Sequence, residues 1–154
     1  MKKLSSDIIH FFQNQGFVVV TTIDQAGFPH ASCKGIVKIE PGGSVYLLDL
    51  YRAKTFENLK HNPYMSITAV NEHKFSGYCL KGKAQVLPDT HHLRDELLKS
   101  WEERITNRLT QRLLRNIHGE TGHRHHPEVN MPEPEYLILM EIEEIVDLTP
   151  RHLK

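Results

Sequence analysis

Phe17-Val18-Val19-Val20-Thr21-Thr22-Ile23 is the stretch on which the fold turns, and Asp24-Gln25-Ala26-Gly27 follows it at once. β-Branched residues fill the first segment, and two heavy atoms on Cβ suit an extended, pleated backbone. The second segment carries the acid and the glycine of a reversing turn, so the chain is predicted to double back into an extended run from about His30 to Ile39. Pro41-Gly42-Gly43 then breaks the chain again. Ser44-Val45-Tyr46-Leu47-Leu48-Asp49-Leu50 reads as a third strand arriving after a tight turn. Three strands joined so closely make a meander.

Toward the N-terminus, Ser5 or Ser6 can cap a short helix whose residues Ile8, Ile9 and Phe12 share one face, with Gly16 placed for a left-handed C-terminal cap. Toward the C-terminus, residues 53–61 turn helical, with Phe56 and Leu59 as the apolar pair, until Asn62-Pro63 stops them. Two more strands are expected near 64–70 and 75–87. Gly77 and Gly82 in the second of these point to a bulge or a close backbone approach. After Pro88, the spacing Leu93, Leu97, Trp101, Ile105, Leu109, Leu113, Ile117 marks one long amphipathic helix or two consecutive ones, with Gly119 as the stop. Residues 119–135 hold Gly, Pro, Glu and His with little apolar content and read as a mobile, His-rich surface loop. A last, buried strand begins at Tyr136. No internal repeat is visible. Five early strands, one final strand and helices between them predict a mainly β fold: an antiparallel barrel with flanking helices, not an alternating parallel α/β sheet.

The 154 residues suit one domain over residues 1–154. Lys and Arg number 19, equal to Asp and Glu, so no broad field favours nucleic acid or an anionic membrane, and a bound anion must be held locally. Cys33 and Cys79 lack the close pairing of redox dithiols or zinc sites, which suits a reducing compartment. Asp7 and His10 interrupt what would be the apolar core of a signal peptide, and no run reaches ~18 uninterrupted apolar residues. The expectation is a soluble, cytoplasmic protein that binds neither nucleic acid nor membrane. Gly-x-Gly-x-x-Gly, the P-loop, His-Glu-x-x-His and Gly-x-Ser-x-Gly are all missing, which removes the simplest nucleotide-fold, zinc-protease and serine-hydrolase readings.

Chemistry concentrates in Tyr51-Arg52-Ala53-Lys54-Thr55-Phe56-Glu57-Asn58-Leu59, where a strand end meets a helix start. Unpaired N–H groups and partial positive charge at a helix N-terminus attract an anion, and Arg52, Lys54 and Thr55 can add charge-assisted hydrogen bonds. A phosphate suits this corner. The alternative reading makes Arg52 and Lys54 solvated loop charges with Thr55 as an N-cap.

The ordered segments Phe17-Val18-Val19-Val20-Thr21-Thr22, Gly27-Phe28-Pro29-His30-Ala31-Ser32, Val45-Tyr46-Leu47-Leu48, Lys54-Thr55 with Asn58-Leu59, His61-Asn62-Pro63, and residues 77–84 from Gly77-Tyr78 to Lys83-Ala84 carry a family pattern. Over about residues 10–87, with a consistent final strand, the chain resembles the pyridoxamine 5'-phosphate oxidase-like FMN-binding split barrels. The resemblance implies a six-stranded antiparallel split barrel that forms a homodimer, with one FMN in each of two clefts between the subunits. It implies flavin-lining roles for Ser32, Cys33 and Lys34 and for Asp49, Leu50 and Tyr51. The phosphate-binding positions fall on Lys54 and Thr55, with Arg52 beside them. On the alternating strand, one of Ser32 and Cys33 faces the core, and Lys34 can equally be an outward charge. Residues 89–154 lack the Arg-x-His-like substrate motif and terminal Arg-Leu-x-Pro of true pyridoxamine phosphate oxidases, so that reaction itself is not implied. An oxidoreductase or electron carrier is, with the small-molecule substrate or redox partner unnamed and no catalytic acid or base identified.

His118, His123, His125 and His126 lie within nine residues and raise a second possibility, a metal or haem site, since imidazole is the commonest ligand for several metals. Some haem-degrading relatives of this barrel use a histidine in a C-terminal extension. The segment lacks a helical His-x-x-x-His frame, and polar loops collect histidines without function. Arg104, Arg108, Arg112 and Arg115 line one face of the predicted helix, with Asp95, Glu96, Glu102 and Glu103 in its earlier turns. That order suits the helix dipole and a solvated face better than a nucleic-acid surface. Trp101 reads as packing or a dimer contact. A third reading keeps the barrel as a noncatalytic flavin-binding module.

Overall fold

The computed structural model describes residues 1–119 and 127–154. Six strands, β1 (Val18–Ile23), β2 (Pro29–Ile39), β3 (Ser44–Asp49), β4 (Tyr64–Asn71), β5 (Ser76–Leu87) and β6 (Tyr136–Asp147), alternate with three helices, α1 (Ser6–Gln13), α2 (Lys54–His61) and α3 (Arg94–Ile117). The strands close into an antiparallel barrel in the order β1-β2-β3-β6-β5-β4, with β4 pairing back onto β1. No strand is outermost in this order, although β2 pairs with β1 only over Pro29–Lys34 and with β3 only over Gly35–Ile39.

Alternation along each strand divides the apolar residues between two cores. Val18, Val20, Ile36, Val45, Leu47, Ile67, Leu80, Ile138 and Met140 point inward and fill the barrel. Tyr46, Leu48, Leu87 and Leu137 point outward and are covered by α3 through Leu97, with Trp101 partly buried beside it. The two faces of β3 are therefore both buried, which is why Val45-Tyr46-Leu47-Leu48 is continuously apolar.

The barrel is stopped at both ends. The first turn and α1 close one end: Ser5 accepts from the Ile8 N–H as N-cap, Phe12 is fully buried, and Phe11 meets Tyr78 edge-on at 5.2 Å. The left-handed cap expected at Gly16 does not form. The helix ends earlier, at Asn14, whose backbone stays right-handed while its side chain donates to the His10 carbonyl at 2.9 Å. At the other end α2 buries Thr55, Asn58 and Leu59. Asn58 donates to the Thr22 hydroxyl at 2.9 Å across that opening.

Gly82 is the bend the barrel needs. The β5–β6 register slips between Lys81 and Gly82, and a Cβ at Gly82 would sit inside the Glu141 carbonyl. The helix expected after Pro88 is a single one, and Gly119 ends it with φ 72°. Its apolar stripe outruns the barrel: Leu97 is buried, but Leu113, Leu114 and Ile117 are exposed. Within the segment expected to be a surface loop, Pro127–Asn130 forms a 3-10 turn and Glu128 is buried against α3. The last strand continues beyond the aliphatic run Leu137–Met140 to Asp147, with Glu141, Glu143 and Glu144 at exposed positions. Among the described residues, no helix is long and apolar enough to cross a membrane.

Candidate functional site

Strand register explains how three polar side chains meet at the α2 end of the barrel. Gly35 stands opposite Leu48, so continuing that antiparallel pairing puts Lys34 opposite Asp49. Asp49 in turn is the cross-strand partner of Tyr136. All three continue the inward-facing sets of their strands and form the last layer of the interior. The Lys34 ammonium pairs with Asp49 Oδ2, the Tyr136 hydroxyl donates to the same oxygen at 2.6 Å, and the Leu50 N–H donates to Oδ1 at 2.9 Å. Lys34 is buried and Tyr136 fully so. A charge in such a place needs its partner, because desolvation of an unpaired ion costs several kcal/mol, on the order of 3–5 when one member of a pair is removed. Burial, then the hydrogen bond to Asp49 and its negative charge, push the Tyr136 phenol far above its ordinary range.

Next to this layer lies a cleft of about 470 Å³, within the ~300–1,000 Å³ usual for small-molecule sites. Its floor comprises Ser32, Cys33, Lys34, Asp49, Leu50 and Tyr51. Its far wall belongs to α3, through Trp101, Arg104, Ile105 and Arg108, with Phe17 and Met131 at the rim. Six residues anticipated from sequence thus line one concavity. Within that set Ser32 faces inward and Cys33 is exposed. Lys34 is an inward charge, not an outward one.

The phosphate-suited corner divides. Thr55 is buried, and its hydroxyl lies 3.2 Å from that of Ser32, so it adjoins the cleft floor. The first backbone bond of α2 runs from the Glu57 N–H to the Ala53 carbonyl, and Ala53 supplies no side-chain cap. The N–H groups of Lys54, Thr55 and Phe56 therefore precede the helical ladder. Lys54 is exposed and borders a separate hollow with Asp24, Ala26 and His61. Arg52 turns the other way: its guanidinium reaches Asp89 at 3.2 Å and lies 5.1 Å over the Phe56 ring, while its N–H donates to Glu135 at 2.7 Å. It does not line the cleft.

Within the arginine row on α3, Arg104 and Arg112 are half-buried while Arg108 and Arg115 are exposed. Arg104 donates to the Ile36 carbonyl and, at 3.4 Å, to that of Gln15; Arg108 donates to Gly16 at 3.0 Å; Arg112 holds Glu128 at 2.8 Å. These bonds pin α3 to the end of α1 and to β2. Burial and the neighbouring Arg108 charge pull Arg104 below its usual pKa. Burial would raise Glu128, but its own backbone N–H, Arg112 and Arg108 outweigh that and hold it below the ordinary carboxylate value.

Among the described residues no group of three His, Cys, Asp or Glu side chains could hold a metal. His118 is exposed at the end of α3, and His123, His125 and His126 lie outside the described residues. Sequence reasoning did not single out Tyr136, Asn58, Arg104 or Arg108 for the site. For Tyr136 the available signal was a tyrosine opening the aliphatic run Leu137–Met140, and for Asn58 it was its place in the ordered pattern after Lys54-Thr55.

Residues 5–147 match the family described as Pyridoxamine 5'-phosphate oxidase. No curated protein sequence matches the chain significantly. Among solved structures, HupZ of Group A Streptococcus is similar with a TM-score of 0.68 and 16% identity over 95% of this chain and 94% of its own. HutZ, the haem storage protein from Vibrio cholerae, gives 0.62 and 18% over 94% of each chain. A pyridoxamine 5'-phosphate oxidase-related, FMN-binding protein from Nostoc punctiforme gives 0.59 and 13% over 92% of this chain and 80% of its own. At these identities the likeness is one of fold.

Proposed function

The chain belongs to the pyridoxamine 5'-phosphate oxidase family, and on that premise we propose that it is an FMN-binding homodimer of the cytoplasm, acting as an oxidoreductase or electron carrier. The observation that carries this reading is the uncapped first turn of α2, which adjoins the cleft floor through the contact between Thr55 and Ser32. Three N–H groups, a hydroxyl and the exposed Lys54 ammonium suit a terminal phosphate there, while the strand-lined cleft suits a flat ring. The residues present fit the group.

In this reading the β2 backbone and Leu50 shape the ring pocket, and the Lys34–Asp49 pair presents fixed charge along one edge of it. Tyr136 keeps its proton and locks the Asp49 carboxylate in place. Bound flavin would supply the electron or hydride transfer. The open side of the cleft and the exposed Phe17, Leu113 and Ile117 would be covered by a second copy of the chain. Cys33 and Cys79 are free thiols, which suits a reducing compartment.

The test is the absorption spectrum of the purified protein followed by an FMN titration. Yellow protein that releases flavin on denaturation, or saturable FMN binding with about one flavin per chain, is the expected result. Colourless protein that ignores added FMN would overturn the reading.

A second reading, haem in place of flavin, is favoured by the fold shared with the Vibrio cholerae haem storage protein. It assigns the ligand role to the segment holding His118, His123, His125 and His126. Haem titration of a variant with these four changed to alanine separates the two: unchanged haem binding ends the role of the segment. A flavin that no pyridine nucleotide or donor protein reduces would mark a noncatalytic module.

A further inference from the structure

At 8 residues α2 is too short to hold its own first turn, and Ala53 gives it no side-chain cap. Isolated helices shorter than about 12–15 residues are marginal in water, so the direction of its leading N–H groups must be set from outside. Two residues supply that support. The Glu135 N–H donates to the Asp49 carbonyl at 2.9 Å, and the Glu135 carboxylate accepts from the Arg52 N–H at 2.7 Å. A single residue just before β6 therefore holds both ends of the corner from Asp49 to Arg52.

The Arg52 side chain completes the grip. Its guanidinium reaches back to the Glu135 carbonyl at 3.4 Å and across to Asp89 at 3.2 Å, and it lies 5.1 Å over the Phe56 ring in the first turn of α2. Phe56 in turn meets Tyr136 edge-on at 5.1 Å. Asp89 precedes α3 and also pairs with Arg94 at 3.4 Å, so the first turn is tied to the starts of β6 and α3 at once. Arg52 and Glu135 are both exposed, and surface pairs of charged side chains contribute little to overall stability. Their effect is on geometry.

We propose that Arg52 and Glu135 are positioning residues: without touching the ligand, they aim the N–H groups of Lys54, Thr55 and Phe56 at the anion bound there. This role rests on the reading that the turn receives the FMN phosphate. It makes Arg52 a support of the site and not a ligand, and it gives an acid a favourable part beside an anion. Charge alone predicts the reverse for Glu135, since a carboxylate repels phosphate. Geometry and charge therefore predict opposite signs.

FMN and riboflavin are titrated into the wild type and each variant, the ratio of the two affinities is read, and circular dichroism checks the fold. Glu135→Ala should lower the ratio roughly tenfold while riboflavin affinity holds, whereas loss of charge alone would raise it. Glu135→Gln, whose amide oxygen still accepts the Arg52 N–H, should keep most of the ratio. Arg52→Lys retains the charge but loses the fork that spans Asp89 and the Glu135 carbonyl, and should also lower the ratio several-fold. An E135A protein whose ratio is kept or raised, an E135Q protein that loses the ratio, or an R52K protein with the full ratio would overturn the proposal. Should E135A fail to fold, E135Q and R52K decide. A wild type that binds the two flavins equally removes the phosphate reading and this role with it, while a wild-type preference that survives in E135A removes the role alone.

Discussion

Tyr136 and Asp49, directly opposed across the β3–β6 pair, share a 2.6 Å hydrogen bond at the point where the barrel interior gives way to the cleft. The carboxylate oxygen that accepts it also carries the Lys34 ammonium. The phenol is fully buried and its proton is held well beyond the ordinary tyrosine range, so it orients the carboxylate and does not serve as an acid at neutral pH. Tyr136→Phe should lower stability by about 1.5–3 kcal/mol, the usual worth of a hydrogen bond to a charged group. The pH dependence has a definite sign. A group whose pKa is raised on folding gives stability that is complete below its unfolded value, about 10, and is lost as pH rises beyond it. Urea unfolding between pH 8 and 11.5 should therefore show a wild-type advantage over Y136F that shrinks above pH 10. A constant difference across that window would argue against the raised phenol.

Removing the acid is expected to do more harm than removing the phenol. Asp49→Ala leaves the Lys34 ammonium buried without a counter-charge and should cost about 3–5 kcal/mol. The double variant D49A/K34M discards both charges and should recover much of that loss. Equal destabilisation by the single and double variants, measured by chemical denaturation, would mean that the pair is not coupled.

Gly82 makes a separate prediction about how the barrel bends. A methyl group there meets the Glu141 carbonyl of the neighbouring strand, backbone that cannot swing aside. Gly82→Ala should destabilise by roughly 1–3 kcal/mol, the range for overpacking. Gly42→Ala, which meets nothing, serves as the control. Comparable melting temperatures for the two variants would contradict the role of Gly82 as the close-approach position at the register shift.

Much of the fold was legible because its signals are local. The β-branched run at 17–23, the glycine turn after it and the Asn62-Pro63 stop each act within a few residues, and the strands and helices fall where those signals put them. Gly16 misled because Asn14 ends α1 first through its own side chain, a competition that spacing does not reveal. Glu128 likewise looked like loop composition, and only the partner contributed by α3 shows why it is buried. The site was legible in half. Ser32 to Lys34 and Asp49 to Tyr51 meet on one floor because strand pairing keeps them in step. Tyr136, Arg104 and Arg108 arrive from elements more than fifty residues away, and no local pattern reports that register. Lys54 and Thr55 are adjacent in sequence, yet one points to solvent and the other into the barrel, as a helical turn requires.

The central claim, that the first turn of α2 receives the phosphate of a flavin nucleotide, is tested most directly by comparing FMN with riboflavin in flavin-fluorescence titrations of the wild type and of a folded Lys54→Met/Thr55→Val variant. Two or three charge-assisted hydrogen bonds predict that the wild type binds FMN on the order of 100-fold more tightly than riboflavin, and that the variant loses most of this ratio while its riboflavin affinity holds. Equal affinities for the two flavins in the wild type, or an undiminished ratio in the variant, would contradict it.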